Sequence, residues 1–329
     1  MLIGFIKHNR AVSVVLLPLA MILLWAYGFF YPVVPLTEHA APLYKLVISG
    51  IDHYPFLLTL LSFILILCEA LLINYMVEKN EIIDTTTYLP ALVYIVLMSL
   101  QPEMFSLHPI VIANLFMLLA LYKLMQTYRK EPAYAEAFDT GFFISLAVLS
   151  YIPSIVFVLL LWIGLIVIRP FIWREWAISL LGLLLPWIYL VFYYFWNDKL
   201  DVLQYDAIYY TLIAPSKSFD GRSISLPEYG QISILLLAAF FSAGRFLRDL
   251  RKSTVRSRSN LLLILYFFVF SFISIFIAPE YSIPYLSFLS IPFSVFFSAY
   301  LLFSKREWLA EALFLLLIIS VFVNQFLTN

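Results

Sequence analysis

The chain has 329 residues, 64% of them hydrophobic and 12% charged, with 20 Lys and Arg balanced by 20 Asp and Glu. A soluble domain carries about 25% charged residues, so this chain has too little polar surface for water and must use lipid as the solvent for most of its exterior. No nucleic-acid partner is expected, because the one basic cluster, 245–258, lies at a membrane surface, and a single cysteine, Cys68, excludes disulfides and multi-thiolate metal sites within one chain.

A membrane-crossing helix needs about 20 apolar residues at 1.5 Å each. Taken in order, the apolar stretches fall at 11–31, 55–77, 86–100, 107–125, 140–152, 154–169, 176–197, 230–249, 260–279, 283–304 and 308–327. The first is long enough to span and lacks a small-residue cleavage site, so it reads as a signal anchor. Those at 86–100 and 140–152 are short and end at Gln101-Pro102 and Pro153-Ser154. The expected fold is all-α, a polytopic transmembrane bundle of about eleven spans with nine as the alternative count, forming one integral membrane domain over 1–329.

The gaps between these stretches alternate between basic and base-poor. One set of gaps holds only Lys45, Lys199, Lys217 and Arg222; every other Lys and Arg falls in the alternate set, with the amino terminus. Basic side chains are retained on the cytoplasmic face during insertion, which predicts a cytoplasmic amino terminus, an outer carboxy terminus and a place in the cytoplasmic (inner) membrane.

Three gaps are long enough to have structure. The first outer gap contains TEHAAPLYKLVISGIDHY, with Leu43, Leu46 and Val47 at helical spacing and Glu38 and Asp52 at its ends. The inner gap TYRKEPAYAEAFDT mixes charge signs and is expected to lie flat on the inner surface. The outer loop 197–230 opens with NDKLDVLQYDAIYYTLIAP, where Val202, Tyr205, Tyr209 and Leu212 recur at three- and four-residue steps, away from Asp198, Asp201 and Asp206. That pattern predicts an amphipathic helix resting at headgroup level through Tyr205 and Tyr209. Trp187, Tyr189, Tyr193, Tyr194 and Trp196 crowd the outer half of one span, either as an interfacial belt or as a wall for a lipid or sugar.

Glu69, in LILCEALLINYMV, is the carboxylate placed well inside a span. An ionised acid near mid-membrane costs roughly 2.5–3.5 kcal/mol on insertion scales, so it is expected to face a partner helix or a cavity. The first reading is a structural hydrogen bond; the second is a proton relay, an ion site or a headgroup contact. On the outer side His39, His53 and His108 each lie near an acid, but their spacing matches no metal-ligand motif, so no metal site is expected. Glu38 and Asp52 remain as candidate general bases, against the reading of both as solvated loop residues. The cluster RFLRDLRKSTVRSRSN places Arg245, Arg248, Arg251 and Lys252 beyond a span end, as a topology determinant or as contacts for anionic lipid headgroups. No nucleotide or dinucleotide fingerprint is present, so no cofactor is expected.

The first outer gap with Glu38 or Asp52, the run HPIVIANLFMLLALYKL and the late segment APEYSIPYLSFLSIPFSVFFSAYLL together resemble the type-C glycosyltransferases that use polyprenyl-phosphate sugars. The whole chain also looks like multi-span inner-membrane proteins of Bacteroidota. The resemblance implies sugar transfer at the outer face with an acid of the first outer loop as base. The gap has no adjacent pair of acids, so a non-catalytic relative is the other form of the same resemblance. Two further readings stand beside it: a non-enzymatic membrane subunit docking an envelope protein partner, and a transporter or flippase using Glu69.

Overall fold

The computed structural model describes residues 10–32, 41–204, 226–277 and 283–327. Among them the chain forms helices α1 (Arg10–Phe30), α2 (Pro42–Ile48), α3 (Pro55–Lys79), α4 (Leu89–Met98), α5 (Pro109–Gln126), α6 (Tyr134–Ser150) and α7 (Phe157–Ile168). They continue as α8 (Trp173–Trp196), α9 (Leu200–Gln204), α10 (Leu226–Lys252), α11 (Val255–Ile277), α12 (Ser290–Phe303) and α13 (Glu307–Leu327). Short 3-10 turns lie at Pro102–Phe105, Ile152–Val156 and Ile283–Leu289, and no strand occurs among the described residues. Seven of these helical segments are long and apolar enough to cross a membrane.

Proline sets many of the boundaries. Pro42, Pro55 and Pro109 open α2, α3 and α5, where a missing N–H leaves no bond unmade. Two stops come from the residue before a proline, which is driven out of the helical region. Gln101 before Pro102 is extended at φ −110° and ψ 118°, just beyond the end of α4. Arg169 before Pro170 is extended at φ −154° and ψ 161°, and it ends α7. The inner gap expected to lie flat is partly helical instead: α6 starts at Tyr134, and Glu136 and Asp139 ride on its first turns. Lys130 pairs with Glu136 and Lys123 with Asp139, which lets these acids sit on a helix at the bundle's edge.

The centre of the bundle is α4, α5 and α12. Every residue of α4 is buried, and 72% of the window Leu286–Phe303 is buried against 22% for Glu228–Lys252. Helices α8 and α10 are therefore peripheral, with Leu181, Ile188, Leu236 and Phe240 turned outward as lipid-facing side chains are. α6 and α8 cross backbone to backbone. A Cβ on Gly141 would lie 2.3 Å from the Ser179 carbonyl oxygen, and one on Gly182 would lie 2.2 Å from that of Phe138. Glycine permits this approach, as it does where membrane helices associate through small residues.

Contacts between loops define two ends of the bundle. At one, Asn260 reaches the Asn80 carbonyl, Arg169 the Lys130 carbonyl, and Arg245 stacks on Phe303. These contacts draw the basic gaps together. At the other, α2, α9 and the far ends of α6 and α8 meet through Leu43, Leu46, Leu149, Leu190, Tyr194 and Leu203. We call these the basic end and the base-poor end.

Candidate functional site

Glu69 on α3 is fully buried and faces the bundle interior. The Tyr94 hydroxyl on α4 donates to Glu69 Oε2 at 2.6 Å. Asn114 on α5 donates through Nδ2 to the Tyr94 oxygen at 3.4 Å and to Met98 Sδ at 3.9 Å. Ser290 on α12 donates to Met98 Sδ at 3.3 Å and also to the Ser287 carbonyl. Glu69, Tyr94 and Asn114 are each 0% exposed, so four helices enclose one polar cluster inside an otherwise apolar core. Glu69 lies 14 residues from the first residue of α3, about 20 Å along the helix axis. Glu69 therefore faces neighbouring helices and not lipid.

Directly beyond this cluster α4 stops, and residues 99–108 run through the bundle with little helix. Such backbone is tolerated in a membrane bundle where protein supplies the missing hydrogen bonds. Here side chains from distant helices hold the segment, mostly through its backbone carbonyls. Trp25 of α1 donates to Ser99 Oγ at 2.9 Å, and Ser62 of α3 to the Met104 carbonyl at 2.8 Å. Gln231 of α10 and Asn324 of α13 both donate to the Leu100 carbonyl, at 3.3 and 2.9 Å. Tyr44 of α2 donates to the Leu107 carbonyl at 2.6 Å, and its burial raises the hydroxyl pKa far above the ordinary tyrosine value. Separately, Gln325 of α13 donates to the Leu24 carbonyl of α1 at 2.8 Å.

The Tyr44 bond fastens the gap between α1 and α3 onto segment 99–108. Tyr44, Ile48, Leu58, Leu107 and Ile112 form one apolar cluster against which Ile51 packs. Asp52, next to Ile51, is partly exposed and accepts from its neighbour His53, whose side chain is largely in solvent. Glu103 is exposed on the 3-10 turn, and His108 is partly buried at the start of α5. His108 Nδ1 accepts from the Ile110 N–H at 3.2 Å, an amino-terminal cap that needs the neutral Nε2–H tautomer. Burial pushes the His108 pKa down to about 4, which agrees with that tautomer. Of the two carboxylates proposed as bases, Asp52 stands on this surface; Glu38 lies outside the described residues, as do Tyr205 and Tyr209.

At the basic end, Arg245 pairs with Asp249 one turn on, at 2.8 Å, and lies over the Phe303 ring. Arg248 donates to the Gly244 carbonyl, while Arg251 and Lys252 are exposed at the end of α10. A small recess of about 10 Å³ lies there between Ile82, Ile83, Phe246, Asp249, Leu261 and Val295. Deeper, Arg169 and Glu175 form an ion pair at 3.1 Å with side chains 5% and 2% exposed. Glu175 Oε1 also accepts from the Ala133 N–H, and Arg169 donates to the Lys130 carbonyl. Nearby, burial raises the Glu136 carboxyl pKa, and the Lys130 ammonium more than reverses this, leaving it below its ordinary value. Among the described residues no group of three or more His, Cys, Asp or Glu could hold a metal.

Reading the sequence alone singled out Glu69 but not Tyr94, Asn114, Gln231 or Asn324. Their signal was a lone polar residue in an apolar run, which in a membrane usually faces another helix. Fold and polar core together define a multi-pass helical membrane protein. The chain belongs to a family of unknown function, DUF6427, whose model matches residues 40–328. No curated protein and no solved structure matches it.

Proposed function

We propose that this is an eleven-span protein of the cytoplasmic membrane, amino terminus inside and carboxy terminus outside, that acts on a polyprenyl-phosphate sugar at its base-poor face. The observation that supports the reading is the Tyr44–Leu107 bond, which ties the gap that carries Asp52 to the residue before His108. In this reading Asp52 or Glu38 accepts the proton of an acceptor hydroxyl as its oxygen attacks the sugar's anomeric carbon. The bond from that carbon to the phosphate oxygen breaks, and polyprenyl phosphate leaves. Arg245, Arg248, Arg251 and Lys252 then meet anionic headgroups on the cytoplasmic side, at about 1 kcal/mol per base near the surface. The distribution of Lys and Arg among the gaps supports this orientation.

The test is replacement of Asp52 by Asn and Glu38 by Gln at wild-type protein levels. Loss of a lipid-linked envelope glycan in either variant supports transfer; unchanged glycans in both reject it. Orientation is tested with a single cysteine at the exposed position Thr254 in a Cys68→Ser background. Labelling by an impermeant maleimide from outside the cell would invert every assignment of side.

A second reading is favoured by the outward row Tyr189, Phe192 and Trp196 on α8, one of the least buried spans. There the protein is a non-enzymatic subunit that docks an envelope protein along α8. A native-size purification that yields a lone protomer counts against it.

A further inference from the structure

The cluster around Glu69 has an imbalance that its own residues do not resolve. Its donors are all engaged: the Tyr94 hydroxyl on Glu69, both Asn114 N–H groups on Tyr94 and Met98, and the Ser290 hydroxyl on the Ser287 carbonyl and Met98. Two acceptors are left over. Glu69 Oε1 and Asn114 Oδ1 are buried with no donor side chain in hydrogen-bonding geometry, and the Leu115 backbone is the one other group near enough to hydrogen-bond the Glu69 carboxyl. Buried polar atoms are almost always satisfied, so a pair of orphaned oxygens on neighbouring helices, tied through one tyrosine, points to a missing donor or cation. The charge count agrees. No basic side chain hydrogen-bonds the carboxylate, and an unneutralised carboxylate at this depth is strongly disfavoured.

We infer that Glu69, Tyr94 and Asn114 form an exchangeable binding site for one positive charge, a proton or a sodium-sized cation, inside the bundle. Glu69 Oε1 supplies the charge that holds it and Asn114 Oδ1 the second oxygen. Tyr94 holds the carboxyl in place. The site lies at the end of α4, where Met98 precedes the side-chain-bonded segment 99–108, so occupancy bears on how firmly that break is held. It is separate from the Asp52 surface and does not depend on the glycosyl-transfer reading.

The titratable surroundings are few. Tyr94 faces Glu69 from α4. Tyr75, Glu78 and Lys79 on α3, and Tyr122 and Lys123 on α5, lie further along toward the basic end. Tyr27 on α1 and Glu103 on the 3-10 turn lie toward the base-poor end.

The experiment uses the full-length protein in detergent, with unfolding midpoints measured from pH 5 to 9 in NaCl or choline chloride at equal ionic strength. If a proton is bound, the wild-type midpoint falls as pH rises, by about 2–4 °C for each fivefold loss in the folding equilibrium constant, whichever salt is present. If sodium is bound, NaCl raises the midpoint at high pH. In either case the dependence is absent from Glu69→Gln. Identical profiles in wild type and Glu69→Gln overturn the site. Should Glu69→Gln not fold, the wild type decides alone through dicyclohexylcarbodiimide, which modifies protonated carboxyls in apolar surroundings. Modification of Glu69 that slows with rising pH or is blocked by NaCl supports the site, and modification that responds to neither, or none at all, overturns it.

Discussion

Two buried polar arrangements at opposite ends of the bundle meet the same need with different chemistry. At the basic end, Pro170 stops α7, and the chain on either side is held by full charges, Arg169 on Glu175, with the Lys130 carbonyl and Ala133 N–H as further partners. Toward the base-poor end, Gln101 before Pro102 is extended, so α4 does not run on into the 3-10 turn, and neutral donors do the holding: Trp25, Ser62, Tyr44, Gln231 and Asn324. A charge pair needs a compact, well-satisfied site to repay desolvation, whereas amides and hydroxyls lose far less on burial. The neutral arrangement also does more for the fold. It takes donors from α1, α2, α3, α10 and α13, so segment 99–108 becomes the point on which these helices agree in register.

The sharpest way to break the comparison is to remove one charge. Glu175→Gln leaves Arg169 buried without its counter-charge, and its Nε already lacks a partner. The expected loss is about 3–5 kcal/mol, while the paired change Arg169→Met with Glu175→Leu should be far milder, because no charge is left in the interior. Denaturant unfolding of the purified variants checks this. A double variant as unstable as the single one would mean that packing, not charge compensation, governs the basic end.

The neutral end should behave differently, because two donors share one acceptor. Asn324→Leu or Gln231→Leu alone leaves the Leu100 carbonyl with a partner and should reduce stability by about 1 kcal/mol. Together they strand a buried carbonyl, and the pair should exceed the sum of the singles by about 0.5–3 kcal/mol. Strict additivity in that double-mutant cycle would show that the two side chains do not share the carbonyl.

The contrast also marks what was legible in the sequence. Apolar runs and proline positions placed a helix in every apolar stretch, because both act locally on the backbone. The basic cluster on α10 was equally plain. The partners of Glu69 were not, since Tyr94 and Asn114 sit 25 and 45 residues further along the chain and only packing brings them near. The same holds for Gln231 and Asn324 on Leu100. The inner gap misled for a different reason: Glu136 and Asp139 look like loop residues until Lys130 and Lys123 neutralise them on α6.

Those two pairs also offer the finest test of the comparison, since they hold charge at the same end as Arg169 but nearer water. Lys123 meets Asp139 at 2.7 Å with side chains 30% and 35% exposed. Solvent screens such a pair, and holding two flexible side chains in one geometry offsets much of the attraction, so Asp139→Asn should reduce stability by only about 0.2–1 kcal/mol. The effect should fade in high salt, whereas that of Glu175→Gln should persist, because a Debye length of about 3 Å at 1 M acts on exposed charges and hardly at all on buried ones. Unfolding both variants in 0.1 M and 1 M NaCl separates the two. If Asp139→Asn matched Glu175→Gln and ignored salt, depth would not be what distinguishes the ion pairs at the basic end, and the contrast with the neutral end would have to rest on the identity of the donors alone.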